Sequence, residues 1–155
     1  MEFILFLSKL DKEILNLLIK ANYIVEENKI ECVLNKEIKG LHNFKENKII
    51  ICTENAKKKT YYRNKKKLPN KDNFKTERAI RKALRHEATH VVQKCNNNKI
   101  LGDIKKLESK LHPMKREALV FSTSNFSGTY AKEVEAYVLE DKPKKVKNLI
   151  KKYCL

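Results

Sequence analysis

The sequence predicts an α+β fold, mainly helical with a small antiparallel sheet, and three observations predict it. Among 155 residues only three are glycine and three are proline, so long stretches lack the residues that interrupt helices. Apolar residues recur at intervals of three and four over most of the chain. Only two short runs, Lys29 to Leu34 and Lys48 to Cys52, have the apolar, β-branched character of strands. A chain of this length is expected to be one domain, residues 1–155, with room for a real core but little for elaborate substrate subsites.

Taken in order, Leu5 to Asn22 carries Leu7, Leu10, Ile14, Leu15, Leu17, Leu18 and Ala21 on one wide face, with Ser8 and Asp11 placed to cap its start. Its polar face mixes Asp11 and Glu13 with Lys9, Lys12 and Lys20, which favours a core helix over a membrane-surface one. The two β-like runs follow, with Gly40 between them, and are expected to pair antiparallel. His42 lies in that connection and is expected at the surface. From Ala56 to Asn73 no period holds, so an exposed basic loop is expected, with a short edge strand around Thr60 to Arg63. Lysines interleaved with Tyr61 and Tyr62 are what a single-stranded nucleic-acid platform would use, although a basic flap is the plainer reading. A helix then runs from Phe74 to Lys94 and stops at Asn96-Asn97-Asn98. Shorter helices are expected over Ile100 to Leu111 and Met114 to Phe121, then a polar turn from Ser122 to Gly128. Thr129 to Glu140 and Lys144 to Tyr153 complete the chain, with Pro143 between them.

Composition sets outer bounds. A formal charge of +16 makes association with a polyanion a partner to consider, such as weak nucleic-acid binding through the lysine-rich surface. Lysine far outnumbers arginine and is scattered over every segment, which fits a solvated surface better than a reading head. Cys32, Cys52, Cys95 and Cys154 form no Cys-x-x-Cys pair, so a structural zinc knuckle is not expected, and Cys52 and Cys95 read as buried free thiols, with a disulfide as the alternative that no spacing supports. The stretch Met1 to Leu7 is too short to span a bilayer. It has Glu2 where a secretory leader has basic residues, so a soluble, cytoplasmic protein is the expectation.

The helix from Phe74 to Lys94 holds His86-Glu87-Ala88-Thr89-His90. Histidines four apart project from one face of a helix, one turn apart, close enough to share a metal ion. Glu87 stands between them as candidate general base, and the pattern is that of zinc-dependent hydrolases. Ile80, Leu84, Glu87, Ala88, Val91 and Cys95 form a core-facing stripe, and His86, His90 and Gln93 form a second one beside Ala79 and Ala83. Arg78, Arg81, Lys82, Arg85 and Thr89 fall on a side that reads as solvated. A catalytic zinc takes three protein ligands, and the downstream candidates for the third are His112, Glu133 and Glu135. The two glutamates lie about 160° apart on their helix, so one alone can face the ion.

Arg85 to Gln93 and Lys132 to Tyr137 resemble the zincin metallopeptidases, in particular the gluzincin type that joins His-Glu-x-x-His to a glutamate on a later helix. They are also similar to small His-Glu-x-x-His-x-x-Gln proteins of cyanobacteria and their phages. The resemblance implies a zincin-like fold and a zinc metallopeptidase acting on a peptide or protein. Zn²⁺ would sit on His86, His90 and Glu133, with Glu87 as base. Glu133-Val134-Glu135-Ala136 fits the family pattern with Glu133 as ligand. Many gluzincins place an acid four residues after that ligand, where this chain has Tyr137, so Glu140 or Gln93 is expected to orient the histidines instead. The edge near Lys48 to Cys52 is expected to take an extended substrate, and Tyr130 is the suspect for an oxyanion donor. The alternative class is a basic module for nucleic acid or another acidic partner, its metal structural or absent.

Overall fold

The computed structural model describes residues 1–57, 69–125 and 129–155. It is mostly helical with one small three-stranded sheet, an α+β arrangement. After a 3₁₀ turn at Glu2–Phe6 come α1 (Lys9–Lys20), β1 (Ile24–Glu27), α2 (Ile30–Leu34), β2 (Gly40–Asn43), β3 (Lys48–Ile51) and α3 (residues 53–57). They are followed by α4 (Pro69–Cys95), α5 (Ile104–Glu108), α6 (Pro113–Asn125), α7 (Tyr130–Leu139) and α8 (Pro143–Tyr153). The expected edge strand at Thr60 to Arg63 and the middle of the expected basic loop, residues 58–68, lie outside the described residues; at its two ends the loop is helix instead, since α3 takes residues 56–57 and α4 starts at Pro69 and not at Phe74. The turn expected from Ser122 is likewise helix as far as Asn125, the end of α6, and residues 126–128 lie outside the described residues.

Helix α1 starts where the capping residues predict: Ser8 Oγ accepts from Asp11 N at 3.3 Å while the Asp11 carboxylate accepts from Ser8 N at 3.3 Å. Its apolar face meets α4, β1 and α8 in the main core, which gathers Phe3, Leu15, Leu18, Ile49, Ile51, Ile80, Leu84, Val91, Leu139 and Ile150. Each of these large side chains contributes about 1.5–3 kcal/mol by leaving water. A second cluster of Leu107, Leu111, Leu119, Val134 and Val138 packs α5 and α6 on the far side of α7. Helix α4 is therefore gripped by α1, α7, α8 and β2, which fixes the His-Glu-x-x-His turn in the middle of the molecule. The helix stops at the asparagine cluster, where Asn97 and Asn98 take left-handed φ angles of 54° and 61°.

The sheet departs from expectation. Lys29 to Leu34 is not a strand; it forms α2, and the first strand is Ile24–Glu27. Asn28, at φ 52°, turns the chain out of β1, and Asn55 Nδ2 donates to the carbonyls of Cys32, Asn35 and Ile38 at 2.9–3.1 Å, which holds the helical turn closed. The order is β1-β3-β2, with β1 parallel and β2 antiparallel to β3, so the sheet is mixed. Lys48–Ile51 is thus the central strand, and the edge beside α4 belongs to β2.

The thiols are not free. Cys32 joins Cys52 and Cys95 joins Cys154, so all four cysteines of the chain are paired. The first bridge ties α2 to the end of β3, and the second ties the last turn of α4 to the C-terminal residues. Closing a loop of 20 residues removes unfolded-chain entropy worth about 3 kcal/mol. The variant with both Cys32 and Cys52 replaced by alanine should lose about that much in urea unfolding, and thiol titration of the denatured, unreduced wild type should find no thiol. Reactive thiols in that titration would contradict the pairing.

The side of α4 expected to be solvated is so only in part: Arg78 is exposed and Arg81 and Lys82 are half-buried, but two positions are taken up by packing. Thr89 is buried and donates to Arg85 O, while Arg85 forks onto the fully buried carboxylate of Asp11 through Nε at 2.6 Å and Nη2 at 3.0 Å. Among the described residues no helix is long and apolar enough to cross a membrane.

Candidate metal centre

Helix α7 lies against α4 with Glu133 turned toward the motif. His86 Nε2 stands 3.3 Å from one oxygen of Glu133 and His90 Nε2 stands 3.2 Å from the other. One ligand atom from each of the three residues lies within 4.8 Å of the others, the spacing of donors around a single ion. Glu135, on the opposite face of α7, points away: its carboxylate accepts from Leu101 N, Gly102 N and Gln93 Nε2 at 2.8–3.0 Å. That satisfies a carboxylate which is otherwise buried, and it holds the chain just past the end of α4. His112 is exposed and accepts from Met114 N at 3.3 Å, and it is not part of the cluster.

The outward ring nitrogens decide the tautomers. Gln93 Nε2 donates to Lys132 O and to Glu135, so Gln93 Oε1 must be the acceptor facing His90 Nδ1 at 2.9 Å, and Nδ1 carries the proton. His86 Nδ1 faces the Glu140 carboxylate at 3.4 Å, which accepts and cannot donate. Both rings present Nε2 to the Glu133 carboxylate, so that in their neutral forms two imidazole lone pairs and a carboxylate would converge on one point, the arrangement of ligands around a cation. Glu140 and Gln93 thus supply the support that the sequence assigned to them in the absence of an acid at position 137. Glu140 is itself held by Lys115 at 2.9 Å and Lys82 at 3.3 Å.

Charge balance follows the same geometry. Burial opposes ionisation of Glu133, but hydrogen bonds from His86 and His90 hold its carboxyl well below the usual range. Burial also opposes a charged His86, yet hydrogen bonds to Glu133 and Glu140 lift that ring to about 10. Without a metal the cluster therefore carries a proton at neutral pH, in the space that a divalent ion would take by displacing it. Glu87 is pushed up chiefly by burial, which makes its carboxylate a stronger proton acceptor than one in water.

Strand β2 runs beside the same turn of α4. Gly40 lies against Glu87 so closely that a Cβ there would stand 2.8 Å from Glu87 Oε1 and 2.9 Å from its Cγ, so any larger residue would displace the Glu87 side chain. Cys52 N donates to Lys39 O, and by antiparallel alternation Leu41 and Asn43 bond to β3 while the backbone groups of Gly40 and His42 face the side of β2 on which no strand pairs among the described residues.

His42 is buried rather than at the surface. Its register opposite Ile49 turns it onto the face of the sheet that meets α4, where its ring lies parallel to His90 at 6.5 Å and against Phe44 at 4.2 Å. Burial pushes it down to about 3, so it is neutral. The alternation Gly40, His42, Phe44 is the one sequence signal that could have placed it facing the helix. Tyr137 packs its ring on His86 at 4.6 Å and sends its hydroxyl to Ala118 O at 3.2 Å, walling the centre rather than orienting a ligand. Burial pushes its phenol up to about 12. Tyr130 spends its hydroxyl on Glu108, in a groove between α5, α6 and α7.

A family model described as a domain of unknown function (DUF8637) matches residues 3–155, and the chain belongs to that family. No curated protein and no solved structure matches it.

Proposed function

We propose that this DUF8637 protein is a zinc-dependent peptidase of zincin-like arrangement. The observation that carries the reading is the convergence of two Nε2 atoms and the Glu133 carboxylate beside a separate buried carboxylate, Glu87. Three protein donors, as opposed to the four of closed structural sites, leave a position for the reacting species. His86, His90 and Glu133 would hold the ion, which supplies Lewis acidity and brings the pKa of a water near about 7.

Glu87 has the remaining task. It takes a proton from the attacking water and returns it to the leaving nitrogen, so the carboxylate is regenerated each turnover. The open backbone groups of Gly40 and His42 offer an edge on which an extended peptide adds as a further strand, directly over Glu87. Strand β2 thereby takes the part expected of Lys48 to Cys52, which lies at the centre of the sheet. Gly40 has a double use here: it lets the strand come close and leaves the base uncovered by a side chain. The two disulfides favour an oxidising compartment over the cytoplasm as the place where this happens.

The test is hydrolysis of an unstructured polypeptide by the oxidised protein. Activity should vanish with a chelator and return with about one equivalent of zinc. Hydrolysis indifferent to chelation would defeat the proposal, and no hydrolysis with zinc bound would favour a metal-stabilised binding module.

A further inference from the structure

Helices α1 and α8 lie side by side over the main core, linked by Lys147 Nζ on Glu13 at 2.5 Å. On α1 the exposed stripe is Lys9, Lys12, Asn16, Ile19 and Lys20, and Asp11 on the reverse face is bonded to α4, so the stripe points outward. On α8 the exposed residues are Lys144, Lys145, Asn148, Lys151 and Lys152, opposite the buried Val146 and Ile150. Of these ten positions seven are lysine and none is acidic, although acids make up 19 of the 155 residues. Glu13, half-buried at the seam, is held below its ordinary range by Lys147, with Lys9 and Lys151 adding to the effect, which registers the positive field of the face.

We infer that the paired faces of α1 and α8 dock the protein on an anionic lipid surface. The two helices pack side by side, so their lysines form one array across both, which complements a plane of anionic headgroups. The array contains no arginine to fork onto a base edge and no ring free to stack between bases, the devices of nucleic-acid readers. The attraction is electrostatic, about fivefold in partitioning for each lysine near the surface, and acts within a Debye length of about 10 Å at 0.1 M salt.

The test uses the full, oxidised chain and sedimentation with vesicles of phosphatidylcholine alone or with a third phosphatidylserine. One variant carries Lys144→Glu, Lys145→Glu, Lys151→Glu and Lys152→Glu. A control carries Lys36→Glu, Lys45→Glu, Lys105→Glu and Lys110→Glu, exposed positions elsewhere, so that both lose the same net charge. Partitioning onto the anionic vesicles should fall by more than about a hundredfold in the first and by only a few-fold in the second. Wild type should not sediment with phosphatidylcholine alone. If the first variant fails to fold by circular dichroism, the four Lys→Gln changes replace it, with the same fall expected. Equal losses in both variants would overturn the assignment, as would binding to a DNA duplex tighter than to vesicles at the same salt.

Discussion

Glu87→Gln should lower peptide hydrolysis by about 10²–10⁴-fold while the protein still carries about one zinc. The amide has the size of the carboxylate and fits the narrow space under Gly40, where the strand backbone already crowds the Glu87 side chain. What it lacks is the ability to take a proton. Because Glu87 contributes no ligand atom to the His86, His90 and Glu133 group, metal content and activity come apart in this variant and in no ligand variant. Activity within a few-fold of wild type would remove Glu87 from the chemistry. A loss of metal together with activity would mean that it acts by holding the site in shape.

Asp11→Ala should destabilise the protein by about 3–5 kcal/mol in denaturant unfolding, because it leaves the charge of Arg85 nearly buried and unpaired. Asp11 is fully buried, caps α1 through Ser8, and takes both Nε and Nη2 of Arg85, so one carboxylate joins the start of α1 to the turn of α4 that carries the motif. Arg85 also donates to Glu140 O, one residue along from His86, so slack at this pair loosens the support of a ligand. The double variant Asp11→Ala with Arg85→Leu should recover most of the loss, since an apolar pair in such a place is often near neutral. A single-variant loss below about 1 kcal/mol would show that the pair is solvated.

The site was more legible in the sequence than the sheet was. Helical spacing alone puts His86 and His90 on one face and separates Glu133 from Glu135, and packing of α7 on α4 then selects Glu133. Strand β1 was hidden because half of Ile24-Val25-Glu26-Glu27 is acidic. Glu26 reaches Lys29 and Lys48, while Glu27 accepts from Glu2 N, Phe3 N and Thr53 Oγ1, partners set by the fold and distant in sequence. Ile30 to Leu34 alternates like a strand, but Asn55, more than twenty residues away from most of it, closes it as a helix. The two cysteine pairs span 20 and 59 residues and the Arg85–Asp11 contact 74, so no local period announces them. His42 misleads for the opposite reason: a lone histidine near a glycine looks like a turn until the register of β2 turns it inward.

Zinc analysis of refolded wild type beside Glu133→Ala and Glu135→Ala tests the central claim most directly. Wild type should hold about one zinc per chain, and Glu133→Ala should bind it more than about a hundredfold more weakly. Glu135→Ala should keep the stoichiometry while losing stability, because its carboxylate serves Leu101, Gly102 and Gln93. A wild type that binds no zinc, or a Glu133→Ala that binds it undiminished, would contradict the convergence of two helices on one ion.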